Sequence, residues 1–489
     1  MAEVSFARRF TDLAAAHPDT VAIICGDQQL TWKELESGAN RLARDLEARG
    51  VGLGDMVTVA LPNSTDWYVA VLSTWKLGAI PQPVSARLPD RELSAIVDLA
   101  DSKVVLGVDQ AVVPDRVALP IGYQPSPDLD DSPLPDRVSP AWKAPTSGGS
   151  TGRPKLIVSG DPAKMDFDGE SPFPYIGVNQ RHLMPGPLYH NAPFLISLIS
   201  LLRDNNIVVL PRFDAEGTLA AIEQYGIETV YVVPTMMRRI WRLPEEVRNK
   251  YDLSSLKVLW HIAEPCPPWL KQAWIDWLGP ERIIEIYGGT EGQCATIITG
   301  NEWLEHRGSV GRPFIGELVI GDDEGTPLPT GEQGLVWMRW TRDTPPYQYL
   351  GAEPRRIDSG WEALGDIGYV DEDGYLYLCD RLQDMILVGG SNVYPAEVEA
   401  AIQEHPAVRS VAVIGLPDED TGNRIHAIVQ VGPEGVSEEE LLAFLGERLV
   451  RYKLPRTIEL TDMELRDDAG KMRRAQLRAE RLPQETSTA

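Results

Sequence analysis

Between Pro145 and Lys155 the chain reads Pro-Thr-Ser-Gly-Gly-Ser-Thr-Gly-Arg-Pro-Lys, with three glycines, four hydroxyl side chains and two cations in eleven residues. Small residues let a backbone approach an anion closely, and unpaired N–H groups present fixed partial positive charge. Hydroxyls and cations add donors for the non-bridging oxygens of a phosphate. A polyphosphate is the guest this chemistry suits. An NTPase P-loop places Lys directly after Gly. Here Arg153 and Pro154 separate Gly152 from Lys155, and the apolar run Leu156-Ile157-Val158 reads as a strand. The loop is therefore expected between strands and not at a helix N-terminus. A flexible Gly/Ser surface loop is the plain alternative for a run this short.

A second cluster, Tyr287-Gly288-Gly289-Thr290-Glu291, follows the apolar run Ile283 to Ile286. Its glycines can turn the chain sharply at a strand end, Thr290 can bond a phosphate, and Glu291 is a hard oxygen ligand suited to Mg²⁺. Further on come Trp361 to Gly368 around Asp366, then Asp380-Arg381, Gly389-Gly390-Ser391-Asn392-Val393-Tyr394-Pro395, and Ala469-Gly470-Lys471-Met472-Arg473-Arg474. Taken in order, these stretches resemble the signatures of the adenylate-forming superfamily: acyl-CoA synthetases, peptide-synthetase adenylation domains and luciferases. The usual first signature is Ser-Gly-Ser/Thr-Thr-Gly-x-Pro-Lys. Here Gly148 stands at its Ser, a variant that resembles the bile-acid and steroid CoA ligases in particular.

The resemblance implies a division of labour. Thr146, Ser147, Gly148, Gly149, Ser150, Thr151, Gly152 and Lys155 would bind the phosphates of ATP. Ala263, Glu264 and Pro265, a segment where the usual glycines are missing, would flank adenine. Tyr287, Gly288, Gly289 and Thr290 would continue the nucleotide site, with Glu291 on Mg²⁺. Asp366 would accept the ribose hydroxyls, with Leu364 in place of the usual Thr, and Arg381 would bind ribose or phosphate. Gln383 holds the hinge position, Gly389 and Gly390 would flank the CoA channel, and Lys471 would be the catalytic lysine. His190, in Pro187-Leu188-Tyr189-His190-Asn191, joins the catalytic set as a site-lining residue without an acid–base role. Phe194, Tyr231 and Trp260, aromatics near that segment and at strand ends, are expected to line the acyl pocket.

The implied reaction has two steps: a carboxylate and ATP give an acyl-adenylate and pyrophosphate, and CoA then displaces AMP to give a thioester. ATP, Mg²⁺ and coenzyme A are the implied cofactor and co-substrates, and a bulky hydrophobic acid (bile acid, steroid or aryl) is the expected substrate. Two other readings stand beside it: an adenylating enzyme serving a carrier protein or an amine, and a non-catalytic nucleotide- or acyl-binding descendant. A homodimer is left open.

At 489 residues the chain exceeds one ordinary core, and with 43% hydrophobic residues it can bury a sizeable interior. A net charge of −26 argues against a nucleic-acid partner, so polyanionic substrates need local islands of cations and backbone donors. Cys25, Cys266, Cys294 and Cys379 have no metal-ligand spacing, and reduced thiols in the cytoplasm are expected. No signal core opens the chain, and Ala192 to Leu202 is too short for a membrane span. Helical spacing at Leu35, Ala39, Leu42 and Leu46 alternates with strands from Met56, Ile207, Thr229, Lys257 and Arg282, which argues for α/β layering. Residues 68–79 are expected as helix, 108–145 as a Pro- and Asp-rich surface excursion, and the stretch from 308 as a smaller β subdomain. The fold expected is α/β: a large multi-subdomain N-terminal domain, 1–382, with sheets flanked by helices, and a small mobile α+β C-terminal domain, 383–489.

Overall fold

A computed structural model describes residues 3–148, 154–167, 169, 171, 173–466 and 472–482. Local chemistry sets its first layers. Thr31 and Glu34 close a reciprocal capping box at the start of the helix Trp32–Ala48, whose Leu35, Ala39, Leu42 and Leu46 are buried on one face. Ser64 caps the next helix by accepting from the Trp67 amide, so that helix runs Thr65–Lys76, ahead of the expected start.

Six parallel strands lie side by side: Val21–Cys25, Asn206–Val209, Arg181–Met184, Thr229–Val232, Val258–His261 and Ile283–Gly288. The helix Asn191–Leu202 packs on this sheet and is apolar nearly all round, as a helix buried on both sides must be. The sheet continues antiparallel through Ala295–Thr299, Ser309–Ile315, Leu376–Arg381, Glu362–Val370, Gly334–Arg339 and Glu317–Gly321. The β-rich stretch after 308 is thus joined edge to edge to the parallel sheet through Ile283–Gly288, which places the motifs of both halves on one continuous surface.

A second, all-parallel sheet holds Ile80–Pro83, Met56–Val59, Val104–Leu106 and Val117–Leu119. Its last strand corrects the reading of 108–145 as surface throughout. Val117-Ala118-Leu119 is a short apolar run between prolines, and it pairs with Val104–Leu106. The rest of that excursion is tied to the helix Trp32–Ala48 through Arg41–Asp131 at 2.6 Å and Arg44–Asp130 at 2.8 Å. A third sheet sets Tyr347–Leu350, Pro154–Ser159 and Thr146–Gly148 antiparallel, so the phosphate-loop signature is flanked by strands on both sides.

Beyond the hairpin Ile386–Val388 and Ser391–Val393, the strands Val408–Asp418, Gly422–Val431 and Thr457–Thr461 form a separate sheet with helices Pro395–Gln403 and Glu438–Gly446. Val398, Ile402, Val411, Val413, Ala427 and Leu441 build its own core, apart from the large one around Phe10, Trp75, Leu198 and Ile284. Among the described residues no helix is long and apolar enough to cross a membrane.

Candidate active site

The two first motifs meet. Lys155 is the second residue of the strand Pro154–Ser159, and Tyr349 on its antiparallel neighbour pairs with Ile157, so Lys155 and Tyr349 are diagonal neighbours on one face. The Lys155 ammonium lies 4.1 Å from the Tyr349 ring centroid and 2.9 Å from its hydroxyl. Glu291 completes the group, its Oε1 accepting from the Tyr349 hydroxyl and lying 3.4 Å from Lys155 Nζ. The Glu291 carboxylate is buried. Burial, and then the charge of Glu291, raise the Tyr349 phenol and keep it a donor.

On the other side of the Gly288-Gly289 turn, Tyr287 donates to Asp366 Oδ2 at 2.7 Å, and Arg381 Nε lies 3.2 Å from Asp366 Oδ1. Asp366 and Arg381 face each other on neighbouring antiparallel strands, so their meeting is a matter of register. Burial, and then Asp366, hold the Tyr287 phenol well above its usual range, while Asp366 raises Arg381. Gly289 has a steric reason: a Cβ there would sit 2.4 Å from Leu364 Cδ1 and 2.8 Å from Glu291 Oε2. A side chain at 289 would push the Leu364 and Glu291 side-chain ends out of their present places.

Thr146 is aimed by a buried relay that sequence reading missed. Gln82 Nε2 donates to Thr146 Oγ1 at 2.8 Å, Thr58 donates to Gln82 Oε1 at 2.8 Å, and Thr58 and Ser102 share a 2.7 Å hydrogen bond. Lys143 was missed as well. It lies buried over the Trp142 ring, donates to Asn191 Oδ1, and is pushed down to about 7 by burial, against the opposing pull of Glu291 and Asp161. His190, next to Asn191, holds the N-cap of the helix Asn191–Leu202, with its ring 4.1 Å from that of Tyr189.

Thr146, Lys155, His190, Ala263, Glu264, Pro265, Tyr287, Gly288, Gly289, Thr290, Glu291, Asp366, Arg381 and Gln383 all line one cavity of about 2410 Å³. From the C-terminal part, Arg466, Met472, Arg473 and Arg474 line it too. Ala263 adopts φ +78°, a conformation in which glycine is at home and alanine is strained. Ser147 and Gly148 lie in the strand that pairs with Pro154–Ser159. Gly149, Ser150, Thr151, Gly152 and Lys471 lie outside the described residues.

Other expected residues are placed elsewhere. Gly389 and Gly390, at φ +55° and +85°, form the exposed turn of a hairpin and do not line the cavity. Phe194, Tyr231 and Trp260 are 0%, 2% and 0% exposed, and none lines the cavity. Phe194 packs edge-on against Trp67 and Trp75 in the main core. Tyr231 and Trp260 are register partners on adjacent parallel strands, both inside the sheet. Aromatic type and proximity to a strand end do not say which face a side chain takes.

A divalent cation fits this arrangement through Glu291. Among the described residues no group of three or more His, Cys, Asp and Glu could hold a metal. Mg²⁺ in nucleotide sites needs only one or two carboxylates, with substrate phosphates supplying the rest.

The chain is also similar to known proteins. A model described as AMP-binding enzyme matches residues 10–342, and one described as AMP-binding enzyme C-terminal domain matches 397–471. Feruloyl-CoA synthase of Amycolatopsis is 31% identical over 493 residues, covering 95% of this chain and 96% of its own. Long-chain-fatty-acid–CoA ligase FadD13 of Mycobacterium tuberculosis is 31% identical over 486 residues, covering 92% and 93%. Among solved structures, o-succinylbenzoate CoA synthetase of Bacillus subtilis with its acyl-adenylate superposes with a TM-score of 0.82 at 24% identity, covering 98% of each chain, which speaks to the fold.

Proposed function

The chain belongs to the AMP-binding enzyme family and is an AMP-forming acid–thiol ligase that uses ATP, Mg²⁺ and CoA, and we propose that its acid is bulky and hydrophobic, an aryl, bile or steroid acid. The observation that carries the assignment of residues is the meeting of Lys155 with Glu291, and of Asp366 with Tyr287 and Arg381, on one cavity wall.

In the first step a carboxylate oxygen attacks the α-phosphorus, the bond from that phosphorus to the bridging oxygen breaks, and pyrophosphate leaves. Thr146, Lys155 and Thr290 bind the phosphates and neutralise the charge that grows in the transition state, donors being worth most where water is excluded. Glu291 would hold Mg²⁺, which supplies charge neutralisation on the phosphate oxygens. Asp366 and Arg381 orient the ribose, and Ala263 to Pro265 flank the base. Lys471, in the role the family resemblance implies, would stabilise the negative charge of the attacking carboxylate and the α-phosphate. In the second step the CoA sulfur attacks the acyl carbon and the bond to AMP breaks.

Residues 383–489 act as a mobile lid on 1–382, turning at Gln383, which sits exposed between the strand Leu376–Arg381 and the hairpin Ile386–Val388. Turning the lid brings Gly389 and Gly390 to the CoA channel for the second step. His190 and Tyr189 line the entrance for acid and pantetheine. The feruloyl relative supports a ring-bearing acid. We place the enzyme in the cytoplasm and keep a homodimer open.

The test is a pyrophosphate-release screen over aryl, fatty, bile and steroid acids, followed by an acceptor test with CoA and with a pantetheinyl protein. Ring acids and CoA are expected to lead. Acetate turned over equally well would overturn the substrate reading, since a pocket shaped for rings gives a two-carbon acid little binding energy.

A further inference from the structure

Glu264 sits on the turn after Val258–His261, with its side chain 7% exposed. It accepts a 2.8 Å hydrogen bond from Thr235, in the first turn of the helix Pro234–Trp241. Arg466, in the part of the chain matched by the C-terminal family model, brings Nη1 to 3.7 Å from Glu264 Oε2, with its own side chain 12% exposed. Arg238, one turn along the same helix from Thr235, also acts on the Glu264 carboxyl.

That helix makes two further crossings to the C-terminal part: Arg242 donates to the Val408 carbonyl, and Arg239 lies 3.9 Å from Glu464. The Arg239 pair is exposed and worth little. The Glu264–Arg466 pair is buried, so separating its members without solvating both is costly.

On its own side Arg466 is fixed by an antiparallel bridge between its backbone and that of Met472. Glu399 lies 4.0 Å behind it, but Arg474 already engages Glu399 through two hydrogen bonds of 2.9 Å to its two oxygens, and Asp384 at 3.0 Å. Arg466 thus stands between two buried carboxylates, Glu399 in its own part and Glu264 across the boundary between the two matched regions.

We propose that Arg466 and Glu264 are a positioning pair for the first half-reaction: a buried ion pair that pins the C-terminal part against the segment Ala263 to Pro265 and parts before the second. The proposal rests on the ligase reading. It makes Arg466 dispensable once the acyl-adenylate exists, because the lid has then left this arrangement.

The test compares Arg466→Gln, Arg466→Lys, Glu264→Gln and the double variant Glu264→Gln/Arg466→Gln. Two readouts are taken: acid-dependent ATP–pyrophosphate exchange, and thioester formation from supplied acyl-adenylate and CoA. Arg466→Gln should slow exchange about tenfold, the scale of a coupling between two elements, and leave thioester formation near the wild-type rate. Arg466→Lys, which keeps the charge, should recover most of the exchange. In the double variant the second substitution should cost less than it does alone, as for partners in one interaction. Equal losses in both half-reactions, strictly additive effects, or no recovery with Lys would each overturn the pairing. A wild-type enzyme without acid-dependent exchange would overturn the ligase reading instead, whatever Arg466 does.

Discussion

Asp366→Asn gives a quantitative check on the ribose site. Asp366 is 9% exposed, and its carboxylate accepts from Tyr287 at 2.7 Å and faces Arg381 at 3.2 Å. A ribose diol would add two O–H donors to the same two oxygens. Asparagine keeps the size and one acceptor, but turns the other oxygen into a donor that faces donors. Losing one charge-assisted hydrogen bond costs roughly 1.5–3 kcal/mol. At about 1.4 kcal/mol per decade, that is an affinity loss of about 10- to 100-fold for ATP. Calorimetric titration with ATP and with 2′,3′-dideoxy-ATP separates direct from indirect effects. Wild type should prefer ATP by a factor of that order, and Asp366→Asn should bind the two nucleotides nearly alike. If the variant loses the same factor for both nucleotides, Asp366 acts through Tyr287 and Arg381 and does not touch the ribose. Unchanged ATP affinity would remove it from the site.

Three further substitutions probe the cavity wall and the buried lysine near it. Glu291→Gln keeps the size but removes the charge a hard cation wants; activity should fall steeply at limiting Mg²⁺ with the melting curve little changed, and wild-type rates there would make Glu291 a turn residue only. Ala263→Gly relieves the φ of +78° and should raise unfolding stability by about 0.5–1 kcal/mol in urea titration; a lower midpoint would contradict the strain. Burial holds Lys143 at about 7 against an ordinary 10.5, so the unfolded chain binds more protons between those pH values and stability should rise with pH across that window. Lys143→Met should flatten this rise in denaturant titrations at stepped pH, and an unchanged slope would rule out Lys143 as its source.

What could be read from sequence was what is local. The Leu35, Ala39, Leu42, Leu46 spacing, the strand-flanked phosphate loop and the motif order each depend on neighbours a few residues apart, and the observed helices and strands follow them. The helix Pro234–Trp241 was not expected, although Pro234 at its first turn, just after Thr229–Val232, is a start signal. Lys143, Gln82 and Tyr349 escaped because their roles exist only after folding: Tyr349 reaches Glu291 through strand register, and Gln82 reaches Thr146 from a different sheet. Phe194, Tyr231 and Trp260 show the converse. Large aromatics gain most from complete burial, so the core competes for them with any pocket, and here the core holds them.

The central claim is that the acid is activated by bonding one of its own oxygens to the α-phosphorus of ATP. Incubating the enzyme with a ring acid labelled with ¹⁸O in both carboxylate positions, together with ATP, Mg²⁺ and CoA, and weighing the AMP by mass spectrometry tests it directly. The account predicts one labelled oxygen in AMP and one in the thioester carbonyl. Unlabelled AMP, or label found in inorganic phosphate beside ADP, would contradict it.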